Sequence, residues 1–545
     1  MVISAPEAQP STLDDPRGSF LLQFYLQSLY NTYARSDFHL WAVLYQDAGR
    51  VSSIPPLDLA LNLEGEQHNI KRGNMAMAKK GIDVRPLVMV LGILGLAALA
   101  CAMPAGSQTG GDDDFDAPES DAEYTPLLGD ASYPELTLCT DPQPPFITDL
   151  EVYQTPNLAE PSPRTAFRDP VFGTCLVRAT DRQADLSPDD ESGGLKNEYS
   201  RVQSFNADGS LLIVRGTEAT WYLYDAASLQ PLGQLPIEID PRWDATDPDV
   251  IYFSQETRLM AFDVRSGERR VVHDFAADIP GHSVDMVWTQ YEGSPSFDGR
   301  YWGMMAEEDD SRIVAFLVYD QETDQVIATR ALDGTPEIDT VTISPLGNYF
   351  LAYYDTYCEH GQLGDDAHPC GLMVYDRNLE NGRSLVRIIG HSDLALDGEG
   401  REVLVFQNID TDYISMLDLA SGVVTDLIPI DFSHSPIGLH FSGRASQMPG
   451  WALVSTHSGG YPTDYTWMDD VVFAIELKPG GRVVRLAHTH SLVDENQEHD
   501  YWAEPQASVN PDFTRVVFTT NWGRSGTDEV EMFMIALPAN WLDGI

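Results

Sequence analysis

Positive charge is what this chain has least of. Its 545 residues include 33 Lys+Arg against 84 Asp+Glu, a formal net charge of −51 at pH 7. The deficit is uneven. Residues 1–101 are nearly balanced, with 8 basic and 9 acidic side chains, whereas the remainder carries 25 against 75. A surface of that sign repels nucleic acid and anionic membrane, so neither is an expected partner of the acidic part. It suits solubility or a saline habitat, and clustered carboxylates offer a second reading, attraction of calcium. Cysteine is scarce as well, five in all, and no C-x-x-C pair exists to hold zinc. H-E-x-x-H, the P-loop, the G-x-S-x-G elbow and G-x-G-x-x-G are all missing, which removes the commonest hydrolase, nucleotide and dinucleotide templates. What is present, 43% hydrophobic and 10% aromatic residues, excludes wholesale disorder.

One long apolar run stands out, Pro86 to Ala100 (PLVMVLGILGLAALA), behind the basic residues Lys79, Lys80 and Arg85 and ahead of Cys101. This is the layout of a secretory signal. Ala98-Leu99-Ala100-Cys101 resembles a bacterial lipobox, which implies lipidation of Cys101 and an exported, membrane-anchored lipoprotein, periplasmic or at the cell surface. A transmembrane helix is the other reading, and the run is at the short end of the roughly 17–25 residues a span needs. Both send the C-terminal part outward, since the positive flank stays inside. Residues 1–74 show neither repeat nor motif, and a start at Met75 or Met77 is expected. The expected organisation is therefore an extension over 1–74, a signal or anchor over 75–101, an acidic tether over 102–138 and a folded domain over 139–545. In the tether, Asp112, Asp114, Asp116 and Glu123 have calcium-loop spacing, but Ala117 replaces the turn glycine, and a solvated linker is the expected state. Four further cysteines in an exported chain suggest two disulfides, Cys358 with Cys370 and Cys139 with Cys175, against the alternative of four separate thiols.

The folded part repeats. Glu292 to Arg330 reads as four short strands: SPSF, the Asp298-Gly299 turn, RYWGMM, RIVAFLVYD, and QVIATR after a polar turn. Related inner turns recur at Asp208-Gly209, Asp247, Pro345/Gly347, Asp397-Gly398, Gly450 and Asp512. A second mark, an apolar strand ending in an acid, recurs at Asp225, Asp263, Asp320, Asp376, Asp418 and Glu476, with a seventh strand at Val530 to Pro538. Seven such units predict an all-β fold, a seven-bladed β-propeller of four-stranded antiparallel blades. The last unit lacks its fourth strand, and Thr174 to Asp181 is a spare strand ahead of the first. Joining the two closes the ring and removes two exposed edges.

SFNADGSLLIV, SPSFDGRYWGM and the LVYD and FDVRSGE turns resemble TolB-like and WD-type propeller repeats over roughly residues 170–540. That resemblance implies the fold and leaves function open. Candidates for chemistry are the residues expected at the channel mouth: Asn197, Glu198, Tyr199, Arg242, Trp243, Trp288, Glu292, Asp339, His391, Asp393, His440, Trp502, Glu504 and Gln506. Acids, histidines and tryptophans converging there could bind a metal or a sugar, or could bond neighbouring blades. Candidate ligands for calcium or a divalent transition metal are His391, His440, His457, His490 and His499. His488-Thr489-His490, His499 and the EPQAS run resemble bacterial oligogalacturonate lyases, seven-bladed propellers with a histidine-rich metal site. The resemblance implies a metal-dependent lyase, although Ser508 and Asn510 stand where histidines would be expected beside Gln506. The two expectations are thus an exported monomeric module that binds protein or glycan, and a metal-dependent polysaccharide lyase.

Overall fold

The computed structural model describes residues 127–128, 133–334, 336–432, 437–458, 465–494 and 498–545. The signal run, Cys101 and the calcium-like spacing lie outside them. Among the described residues no helix is long and apolar enough to cross a membrane.

Seven antiparallel sheets follow one another along the chain, and six of them have four strands in simple sequential order. Blade one is built on Leu195–Lys196, Leu211–Gly216, Trp221–Asp225 and Pro231–Gln234; blade six on Ile437–Ser442, Trp451–Ser458, Val471–Glu476 and Val483–His488. In blade seven, Ser508–Val509, Arg515–Thr520 and Glu531–Ala536 are completed by Cys175–Arg178 from the beginning of the domain, paired antiparallel with Glu531–Ala536. The spare strand therefore closes the ring as expected. A fifth strand, Ala166–Arg168, hairpins onto it from outside.

The recurring acids have a common task. Asp225, Asp263, Asp320, Asp376 and Asp418 each accept a backbone N–H two or three residues on, capping the turn between the third and fourth strands. Asp208, Asp298, Asp397 and Asp512 do the same in the first turn, where Gly209 and Gly299 take φ of 71° and 77°. The sequence periodicity is thus a periodicity of capped turns.

Packing shows why no blade stands alone. Seven apolar clusters each span a consecutive pair of blades, and one of them joins blades seven and one through Val177, Leu195, Val214 and Val517. The ring is held by the same burial at its seam as elsewhere.

One strand assignment is corrected. The innermost strand of blade three is Val284–Trp288, not the SPSF stretch. Blade three's inner strand breaks at Thr289 to Gly293, where Gln290 and Tyr291 have φ of 56° and 70°. Asp240 accepts from the Thr289 and Tyr291 amides, and Arg242 donates to the carbonyls of Tyr291 and Gly293. A Cβ on Gly293 would lie 2.0 Å from the Val341 carbonyl oxygen, so only glycine fits the return. The local pattern of SPSF looks like a strand start because it resumes pairing after this bulge, through Ser296 and Tyr301.

Both expected disulfides are present, Cys139–Cys175 and Cys358–Cys370. Within the stretch assigned to the tether, Leu136 and Leu138 pack against the seam of blades seven and one. The Cys139–Cys175 bridge, 36 residues apart, ties this strap to the closing strand. Replacing both cysteines by serine is expected to lower stability by about 2–4 kcal/mol, read as a drop in the urea midpoint; an unchanged midpoint would show that the strap adds nothing to closure.

Candidate metal centre and channel site

The inner strands and the segments leading into them meet at the ring axis. From blade one, residues 197–203 run into this centre and bond across it. Ser294 of blade three donates to the Arg201 carbonyl, Ser508 of blade seven to the Val202 carbonyl, and Arg201 Nε to the Ser392 carbonyl of blade five at 2.6 Å. The channel is thus crossed by its own chain, and the polar groups divide between its two ends.

On one side sits a histidine-rich cluster. His440 lies in the inner strand Ile437–Ser442, and His457 in the neighbouring strand Trp451–Ser458, where it pairs with Gly438. A Cβ at Gly438 would come within 2.2 Å of the His457 ring, so glycine is what leaves room for the imidazole. Glu504 enters from the segment ahead of blade seven. One ligand atom from each of His440, His457 and Glu504 lies within 4.8 Å of the others. His440 Nε2 is 3.3 Å and His457 Nε2 3.9 Å from the Glu504 carboxylate. Neither ring nitrogen of buried His440, nor Nδ1 of His457, has a hydrogen-bond partner.

Buried polar atoms without partners are costly and rare. Two imidazoles and a carboxylate converging in this state form a donor set that suits zinc, manganese or a similar divalent ion. The electrostatics agree. Burial brings His457 down to about 4 and His391 to about 3, and puts His440 well below its usual value, so all three rings stay neutral, the form that binds metal. Burial pushes Glu504 up to about 8. Gly438→Ala should displace the His457 ring and weaken Mn²⁺ or Zn²⁺ binding about tenfold or more without touching a ligand atom. Calorimetric titration reads this directly, and unchanged affinity would mean His457 is no ligand.

Around the cluster, the His391 ring lies tilted with its centroid 4.4 Å from that of His440, and its Nδ1 is 3.1 Å from the Tyr199 hydroxyl. Lys196, buried, lies 3.0 Å from Gln506 Oε1, and burial followed by the nearby Arg215 charge brings it down to about 7. Arg215 sits among the rings of Trp221, Tyr291 and Trp502 at 5.6–6.0 Å. It donates no side-chain hydrogen bond and has no ion-pair partner among the described residues. Arg201 pairs with half-buried Glu292 at 2.9 Å, over the Tyr353 ring. Burial raises Glu292 to about 7, against the pull of Arg201.

The structure therefore brings His391, His440, His457, Glu504, Gln506, Glu292 and Trp502 to one region. Other candidates are placed differently. Asn197 is spent on the Glu198 and Gln506 carbonyls and on Thr519. Glu198 holds the Trp221 indole. Arg242 clamps the blade-three bulge, and Trp288 donates to Glu307. Trp243 and Asp393 lie toward the turn face, Asp393 accepting from Leu394 and Gly443 amides. His490 stacks on Trp522 at 4.0 Å, and His499 is exposed, so neither joins the cluster. His488 bonds the Tyr153 carbonyl and stacks on Phe172, anchoring the outer strap. Reasoning from the sequence passed over Lys196, Arg201 and Arg215. Their signal was compositional, three cations within 20 positions of a chain that has few.

Comparison with known proteins gives two structural neighbours. The chain is similar to a solved oligogalacturonate lyase in complex with manganese, at 15% identity and a TM-score of 0.47, covering 69% of this chain and 96% of that one. It is similar also to an oligogalacturonate lyase from Vibrio parahaemolyticus, at 13% identity and a TM-score of 0.47, covering 69% and 97%. No protein-family model matches the chain, and no curated protein sequence matches it. The seven-bladed β-propeller rests on the sheet order itself.

Proposed function

We propose that this protein is a divalent-metal-dependent enzyme acting on an acidic saccharide at the histidine-rich end of its channel, by β-elimination. The observation that carries the proposal is the buried convergence of His440, His457 and Glu504 with unpartnered imidazole nitrogens, beside Arg215, which has no ion-pair partner among the described residues. A bound divalent ion would supply Lewis acidity, stabilising negative charge on a substrate carboxylate. Arg215, held in its aromatic surround, can take the same carboxylate by paired N–H donation. Lys196, poised near neutrality, can accept the proton from the carbon next to the carboxylate. As that C–H bond breaks, a C=C bond forms and the glycosidic C–O bond on the adjacent carbon is released to the leaving sugar, whose oxygen takes up a proton. The acidic exterior favours a short, neutral-ended or cation-screened saccharide over a long polyanion.

The test is metal analysis of the purified protein together with an ultraviolet assay for unsaturated product on oligouronates. About one equivalent of transition metal and product formation that fails in His440→Ala are expected. Absence of both metal and product would sink the lyase and leave the propeller as a binding module for protein or glycan. Export as a lipoprotein through Cys101 is proposed alongside; the two disulfides support an oxidising compartment. Mass measurement of the mature amino terminus tests it, a diacylated Cys101 being the expected result and a chain retaining residues 1–74 the contrary one.

A further inference from the structure

At the turn face of the ring, beneath the crossing segment, a second cavity of about 110 Å³ is lined by Gln203, Trp243, Phe297, Arg444, Ser446 and Pro511. It draws its walls from the first turns of blades one, two, three, six and seven, whereas the histidine cluster lies on the other side of Arg201 to Gln203. Gln203 closes the division by donating to the Val509 carbonyl at 3.0 Å.

Arg444 is the unusual group here. It is only 7% exposed, yet its guanidinium donates no hydrogen bond to any described residue. Its contacts are an ion pair with Asp393 at 3.5 Å and the face of the Phe297 ring at 5.0 Å. Asp393 already accepts the amides of Leu394 and Gly443, so it answers the charge of Arg444 but not its donors. The contrast with Arg242, in the same cavity wall, is direct: that guanidinium is used up on the carbonyls of Pro241, Tyr291 and Gly293. Arg444 Nε is buried without a hydrogen-bond partner, and a buried donor left unused is costly unless a ligand takes it. Arg444 sets the sign of that ligand, since the acid in the wall, Asp244, is taken up by the Thr246 and Asp247 amides and the Tyr252 hydroxyl; the indole of Trp243, the ring of Phe297 and Pro511 set its apolar side. The volume is below the ~150 Å³ of a cavity that holds benzene, which limits the ligand to about four to six non-hydrogen atoms.

We propose that this cavity is a binding site for a small monocarboxylate, held by paired hydrogen bonds from Arg444, with its carbon chain against Trp243 and Phe297. The site is separate from the metal centre and stands whether or not the lyase reading does.

Calorimetric titration of the protein with sodium propionate, at ionic strength held constant with chloride, tests this, with thermal melts reporting on folding. Saturable binding and a rise in melting temperature are expected for the unaltered protein. Arg444→Gln should weaken binding at least tenfold. Ala245→Trp, which fills the cavity mouth from an exposed position and leaves the buried charges in place, should abolish it. Absence of saturable binding would overturn the proposal, as would equal affinity in both variants. Inorganic phosphate binding as tightly as propionate would overturn the assignment to a carboxylate.

Discussion

Glu531→Ala is expected to cost about 3–5 kcal/mol of folding stability, the range for stranding a buried charge by removing its partner. Glu531 is fully buried at the ring seam, in the third strand of blade seven. It accepts from the Arg178 guanidinium, from Thr180 Oγ1 at 2.6 Å and from the Arg182 backbone and side chain, all on or just beyond the closing strand. Its loss leaves Arg178 buried without its strongest partner. Glu529, two residues away, makes its ion pair with Arg182 while about half exposed. Glu529→Ala should therefore cost under about 1 kcal/mol. Urea unfolding of the two variants checks the contrast. Equal midpoints would mean that the seam is held by its apolar cluster alone.

Glu504→Gln should lower metal affinity and remove its pH dependence. The sign follows from the protonation states. Burial brings His391 to about 3 and His457 to about 4 and holds His440 well below its usual value, so the rings are neutral throughout the physiological range and release no proton on binding metal. Glu504, raised to about 8, is protonated below that value and must lose its proton to become a ligand. Affinity for Zn²⁺ or Mn²⁺ should accordingly rise about tenfold per pH unit from 6 toward 8 and level off above. In Glu504→Gln the affinity should be flat across this range and lower by about 10–100-fold or more, the loss already seen for outer-shell partners of metals. Titrations in buffers of different protonation enthalpy would count the released proton. A slope unchanged in the variant would place the ionising group elsewhere.

Sequence and structure part where inner strands are interrupted. The turn-capping acids, the Asp-Gly turns and the apolar strands are short-range features, each decided within a few residues. Seven of them in register specify a propeller, and the missing fourth strand of the last unit pointed to Thr174–Asp181 as its replacement. The disulfide pairs followed from cysteine number and from the short loop between Cys358 and Cys370. By contrast, the bulge at Thr289 to Gly293 depends on Asp240 and Arg242 of another blade, so SPSF alone read as the start of a strand.

The channel residues show the same division. Histidines and acids near the starts of blades were visible as candidates, but alternation cannot say which rings meet. His440 and His457 come from neighbouring strands of blade six and Glu504 from the segment ahead of blade seven, 64 positions apart at most by number, and only the packing of that segment against blade six sets all three within ligand distance of one another. His490 and His499 had the same composition-level credentials and went elsewhere, one to a tryptophan face and one to solvent. Arg215 and Arg444 were hidden for a related reason. Whether a guanidinium is used up, as in Arg242, or left with free donors depends on carbonyls supplied by distant blades.

The sequence by itself determined the repeat, its number and the strand that closes it, because hairpins and capped turns are local and recur with the chain's own period. Tertiary structure alone decided which of the many polar side chains at the axis lose water without gaining a partner. That outcome is set by the sum of contacts from all seven blades, and it leaves His440, His457 and Arg444 with buried nitrogens that have no hydrogen-bond partner.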